Sequence, residues 1–156
     1  MDNNEYTDGE NRMPMEVLLV EDSPGDVRLT KEAFAAANVG IHLNVATDGV
    51  EAMAFLRREG VYANAPRPDL TLLDLNMPRM DGRQVLAEIK KDETLKTLPI
   101  VILTTSEAEA DIVKSYQLHA NCYLCKPVQL SAFENLVKSI NDFWLTKAKL
   151  PQAQKM

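Results

Sequence analysis

The strongest constraint in this chain is an alternation: five short apolar runs, each followed by a longer amphipathic stretch. The runs are residues 17–20 (VLLV), 41–46 (IHLNVA), 70–75 (LTLLDL), 99–104 (PIVILT) and 122–124 (CYL). A continuous run such as VLLV has no polar face to turn toward water, so it suits a strand covered on both sides. The stretches between carry helix signals. Ser23 offers an N-cap, Pro24 a first helical residue and Asp26 a first-turn acid, predicting a helix with Val27 and Phe34 facing inward. That helix should reach about Asn38, before the break at Gly40. Asp48-Gly49 turns the chain into a second helix, EAMAFLRRE, closed at Gly60. Residues 62–68 read as an irregular connection, and a third helix runs from about Arg83 to Lys91 after the Asp81-Gly82 turn. A fourth spans roughly Ala108 to Leu118, and the last places Leu130, Phe133, Leu136, Val137, Ile140 and Trp144 at helical spacing. Buried strands joined by crossovers of this length predict an α/β architecture, a parallel sheet with helices on both faces.

Composition narrows the class. A chain of 156 residues, 46% of them apolar and 26% charged, suits one globular domain with one core. Residues 1–13 lack periodicity and are expected to form a tail; residues 14–146 make the domain and residues 147–156 a short C-terminal tail. The net charge of −6 argues against nucleic-acid or anionic-membrane binding, and the residues after Trp144 are too few to read DNA. No apolar run approaches the roughly 20 residues of a membrane span. The acidic N-terminus is unlike a secretory signal, and Cys122 and Cys125 alone supply neither a disulfide framework nor four zinc ligands. A cytoplasmic location is expected.

Ligands of open parallel sheets bind beyond the carboxyl ends of the strands, where the strand order reverses. Glu21 and Asp22 follow the first run, Asp74 ends the third, Thr104 ends the fourth and Lys126 follows the fifth. Three carboxylates gathered on one rim repel one another unless a cation lies between them. Oxygen ligands on an open rim suit Mg²⁺, with Mn²⁺ or Ca²⁺ as substitutes. Beside such an ion Asp74 can attack phosphorus, with Lys126 balancing the transferring group and Thr104 donating its hydroxyl.

At this point the sequence resembles the receiver domain of two-component response regulators. The matching pieces are VEDS (20–23), LLDLNMPRMDG (72–82), ILTTSE (102–107) and CKP (125–127), in order and spaced as five strand–helix units require. The resemblance implies a flavodoxin-like, doubly wound five-stranded sheet of order 2-1-3-4-5. It implies that Asp74 is the phosphoacceptor, that Asp22, Asp74 and the backbone carbonyl of Asn76 ligate Mg²⁺, and that Glu21 acts through water. Thr104 is then the switch hydroxyl, Lys126 the phosphate-binding lysine and Tyr123 the switch aromatic. Such a protein is not an enzyme in the ordinary sense: it takes a phosphoryl group from a histidine kinase and promotes only its own slow dephosphorylation. RPDLTLLDLNMPRMDGRQVLAEIK and the closing NDFWL look like the single-domain regulators partnered with cyanobacterial phytochrome histidine kinases. That group implies a homodimer through the fourth helix, fifth strand and fifth helix, and signalling by phosphorylation-dependent protein contact.

Rival readings are weaker. A flavodoxin-type flavin site needs a phosphate-cradling loop after the first strand, where this chain has EDSPGD. An aspartate-nucleophile phosphohydrolase needs a second acid two residues beyond its nucleophile, where this chain has Asn76. A non-phosphorylated adaptor would leave the acidic rim and Lys126 without a task. The C-x-x-C of Cys122 and Cys125 lies across a strand, which points its side chains to opposite faces rather than into a redox pair. His42 and His119 lack ligand-spaced partners. Phe143 and Trp144 are expected either to close the core or to anchor a partner.

Overall fold

The computed structural model describes residues 14–37 and 40–151. The expected tail at residues 1–13, the end of the first helix at Asn38, and residues 152–156 of the C-terminal tail lie outside them. Strands β1 (Met15–Val20), β2 (Ile41–Ala46), β3 (Leu70–Leu73), β4 (Ile100–Thr104) and β5 (Cys122–Cys125) alternate with helices α1 (Pro24–Ala36), α2 (Gly49–Arg57), α3 (Gly82–Lys91), α4 (Glu109–Gln117) and α5 (Leu130–Trp144). All strand pairs are parallel, in the order β2-β1-β3-β4-β5. Among the described residues no helix is long and apolar enough to cross a membrane.

The two-residue period of the strands divides the core in two. Leu18, Val20, Leu73, Ile100 and Ile102 point to one face, where they meet Ala52, Met53, Phe55 and Leu56 of α2 and Val85, Leu86 and Ile89 of α3. Val17, Leu19, Leu70, Leu72, Val101 and Leu103 point to the other, against Ala33 and Phe34 of α1 and Phe133, Val137 and Ile140 of α5. Each such leucine, fully buried, contributes on the order of 2 kcal/mol before entropy is counted. Helix α4 is the exception. Its one buried residue is Ser115, while Val113 and Tyr116 are exposed.

Element ends differ from the sequence expectation in instructive ways. Helix α2 stops before Gly60 because Arg58 takes the left-handed conformation (φ 57°) and closes it. Residues Gly60–Tyr62 form a short 3₁₀ turn within the stretch read as irregular. Helix α3 opens one residue early, because Asp81 and Gln84 form a reciprocal capping box around Gly82. Strand β3 ends at Leu73, so Asp74 lies on the rim just past the last rung. Trp144 packs on the α1/α5 side of the core, the first of the two roles expected of this pair, while its neighbour Phe143 is exposed.

Candidate metal centre

Chain direction reverses between β1 and β3: β1 leads outward to β2, while β3 leads the other way to β4 and β5. The carboxyl ends of β1 and β3 therefore open into one crevice. Main-chain bonds continue one residue past the strands and fix what faces it. Glu21 N–H donates to the Ala46 carbonyl at 2.9 Å, Asp74 N–H to Val20 at 3.0 Å and Lys126 N–H to Thr104 at 2.7 Å. Carboxylate oxygens of Glu21, Asp22 and Asp74 lie within 4.8 Å of one another. Glu21 and Asp74 are buried; Asp22 is exposed and leaves the cluster open to solvent.

The Lys126 ammonium enters this cluster from β5. It donates to Glu21, to Asp74 at 3.3 Å and, beyond the sequence expectation, to Asp26 on α1 at 2.9 Å. Burial pushes the Glu21 carboxyl up to about 7, reinforced by the charge of Asp74, against the pull of Lys126 and of the Ser23 N–H. Burial also opposes the charge on Lys126, but its bonds to Glu21 and Asp26 and the charges of Asp74 and Glu21 outweigh it and hold the amine above the usual lysine range. One ammonium cannot balance four carboxylates. The surplus of negative charge, all of it on hard oxygens and open on the Asp22 side, fits a divalent cation.

The loop from Asp74 to Gly82 carries Asn76 along the edge of the cluster. Asn76 N–H points back to Asp74 Oδ1 at 3.4 Å. Farther on, Met80 N–H donates to the Pro78 carbonyl at 2.8 Å across Arg79, which has φ 65°: a γ-turn of the rarer, strained hand. The Arg79 guanidinium pairs with Asp48, the N-cap of α2. Two glycines permit the approach. A Cβ on Gly49 would lie 2.1 Å from the Met80 carbonyl oxygen, and one on Gly82 would lie 2.1 Å from that of Asp74.

Thr104 ends β4 fully buried, and its hydroxyl has no hydrogen-bond partner among the described residues. Tyr123 is half-buried on β5; its hydroxyl donates to the Ser106 carbonyl at 2.9 Å, and Cys125 Sγ reaches the same oxygen at 3.4 Å. Ser106 Oγ donates to Asp111 of α4, which also pairs with Arg83 of α3. Thus Glu21, Asp22, Asp74 and Lys126 meet in one cluster, whereas Thr104 and Tyr123 belong to the adjoining β4–α4 region. Cys122 and Cys125 are both free thiols, and Cys122 packs on the α1/α5 side. His42 is bonded to Glu16 at the opposite end of the sheet. Sequence reasoning missed the roles of Asp26, Asp48, Arg79, Ser106 and Asp111. The spacing of Asp22 and Asp26, four residues apart at a helix entry, was a usable hint that both face the same side.

A family model described as the response regulator receiver domain matches residues 17–140. Response regulator Rcp1 of Synechocystis sp. is 49% identical over 144 residues, spanning 92% of this chain and 98% of that protein. The crystal structure of the phosphorylated cyanobacterial phytochrome response regulator RcpA superposes with a TM-score of 0.86 at 54% identity, covering 89% of this chain and 99% of that one. The Mn²⁺-bound form of Rcp1 superposes with a TM-score of 0.85 at 49% identity, covering 89% and 100%. With the sheet order, the acidic crevice and these matches in agreement, the chain belongs to the response regulator receiver domain family.

Proposed function

We propose that this protein accepts a phosphoryl group on Asp74 from the phosphohistidine of a histidine kinase, in an Mg²⁺-dependent step, and signals through the resulting change in protein contacts. Asp22 and Asp74 would hold the ion directly, with the Asn76 carbonyl as third protein ligand and Glu21 acting through water; Mn²⁺ or Ca²⁺ would substitute. Bound there, the ion supplies charge neutralisation for the transferring phosphoryl oxygens. An Asp74 carboxylate oxygen forms the new O–P bond as the P–N bond to histidine breaks, and the imidazole keeps the electron pair and takes up a proton. Lys126 balances the phosphoryl charge from the opposite side. The observation that carries this reading is the Lys126 ammonium 3.3 Å from Asp74 inside a cluster with more carboxylates than it can neutralise.

Phosphorylation adds about −1.5 to −2 charge. Thr104, whose buried hydroxyl has no partner among the described residues, would turn toward it, and Tyr123 would repack behind, biasing one of two arrangements of the β4–α4 region. Asn76 offers no second acid for turnover, so the protein acts as a phosphoacceptor and not as a phosphatase. Receiver domains work with histidine kinases, and the likeness to RcpA and Rcp1 favours a phytochrome kinase in the cytoplasm as the donor. The exposed Val113 and Tyr116 of α4 and Phe143 of α5, with the half-buried β5 between these helices in sequence, are apolar surface that a homodimer through the fourth helix, fifth strand and fifth helix would cover.

Incubation with acetyl phosphate and Mg²⁺ should add one phosphoryl group by intact-protein mass, and Asp74→Asn should add none. A labelled Asp74→Asn variant would refute the acceptor assignment.

A further inference from the structure

Asp26 has no part in the phosphoacceptor chemistry described so far, and its simplest account is local, as a first-turn acid. It is the third residue of α1, and its N–H donates to the Ser23 Oγ at 3.3 Å. In an S-x-x-D helix start the acid at this position ordinarily reaches back to the N-cap N–H. Here it does not. The Ser23 N–H goes to Glu21 at 3.1 Å, and the Asp26 carboxylate extends across the crevice to the Lys126 ammonium at 2.9 Å. The Asp26 backbone is pinned by the buried Thr30, whose hydroxyl donates to its carbonyl at 2.7 Å. The side chain is aimed at Lys126 from a fixed base.

An ammonium has three donors, and all of them are committed here, to Glu21, Asp26 and Asp74. Glu21 and Asp74 also belong to the acidic cluster of Glu21, Asp22 and Asp74 and would share their charge with a bound cation; Asp26 lies outside that cluster. With the ion in place, Asp26 is the carboxylate whose charge remains wholly turned on Lys126. Resting on the phosphoacceptor reading above, we propose that Asp26 is a positioning residue that competes with the phosphoryl group for the Lys126 ammonium, and so limits how strongly the phosphorylated state is held. The Asp26 side chain is 34% exposed against 5% for Lys126, so the competition is partly screened and the lysine is the member that cannot turn to water.

The test is calorimetric titration of beryllofluoride, a phosphoryl mimic, into the full chain saturated with Mg²⁺. Asp26→Asn should bind it roughly threefold to tenfold more tightly than wild type, the range set by one partly screened charge pair. Asp26→Glu, which keeps the charge, should stay nearer to wild type than to Asp26→Asn. A merely structural role for Asp26 gives the opposite sign, because a disturbed helix start would weaken binding. Unchanged or weaker binding by Asp26→Asn, or an equal gain in Asp26→Glu, overturns the competition. Wild-type protein that binds Mn²⁺ but no beryllofluoride overturns the phosphoacceptor reading, and this inference with it.

Discussion

One methyl group added at three helix starts separates packing from propensity. Gly25, Gly49 and Gly82 each occupy the first turn of a helix, α1, α2 and α3 respectively. Replacing glycine by alanine in a helix ordinarily stabilises by about 0.5–1 kcal/mol, because alanine loses less backbone freedom on folding. At Gly25 the new Cβ meets nothing closer than the Ser23 Oγ at 3.9 Å, so Gly25→Ala should show that gain. At Gly49 and Gly82 the Cβ would lie 2.1 Å from a backbone carbonyl oxygen, more than an ångström inside ordinary contact, which begins near 3.4 Å. Neither oxygen belongs to a flexible side chain that could swing away. Overpacking of this kind costs about 1–3 kcal/mol or more, which exceeds the propensity gain, so both variants should be destabilised by about 1–2 kcal/mol net. Urea denaturation with a common slope would read these differences, and the melting temperature should fall by roughly 2–4 °C per kcal/mol. Since both contacts position the loop carrying Asn76, Mn²⁺ affinity should fall in Gly49→Ala and Gly82→Ala and hold in Gly25→Ala. Equal stability of the three variants would show that the close approach of α2 and α3 to this loop has been misread.

Other consequences are as direct. Glu21 has a carboxyl raised from 4.5 to about 7 by burial, so its contribution to stability is present in full below pH 4.5 and is lost as pH rises through about 7. In chelator the protein should lose on the order of 3 kcal/mol over that window; Glu21→Gln should remove most of the slope, and an unaltered slope would discard burial of Glu21 as its source. Thr104→Val removes a buried hydroxyl without a partner among the described residues, so it should leave stability unchanged or slightly raised while abolishing the beryllofluoride-induced shift of the Tyr123 ring resonances in NMR spectra; a loss above about 1 kcal/mol would mean that the hydroxyl is bonded after all. Arg79→Gly and Arg79→Ala both delete the ion pair to Asp48, but only glycine tolerates φ 65° without strain. The glycine variant should therefore be the more stable by about 1 kcal/mol, the reverse of the usual order, as measured by urea midpoint.

Much of this protein was legible along the chain. Runs such as VLLV and IVILT suit strands buried on both faces, which β1 and β4 are, and Ser23-Pro24 or Asp81-Gly82 start helices by chemistry local to a few residues. From those periods follow the parallel sheet, the rim, and the presence of Glu21, Asp22, Asp74 and Lys126 on it. Periodicity fixes how far along an element a residue lies and which face it takes. It does not decide which partner a long, charged side chain reaches. Lys126 and Asp26 are 100 positions apart in sequence, and Ser23-x-x-Asp26 by itself points to a capping role. Only the tertiary fold, which seats α1 against α5 and lets Lys126 reach inward from the end of β5, makes the ammonium the better partner, because a lysine that is 5% exposed must satisfy its charge within the protein. The same holds for Arg79 and Gly49: a strained turn and a missing Cβ carry meaning only once α2 has been brought against the loop they serve.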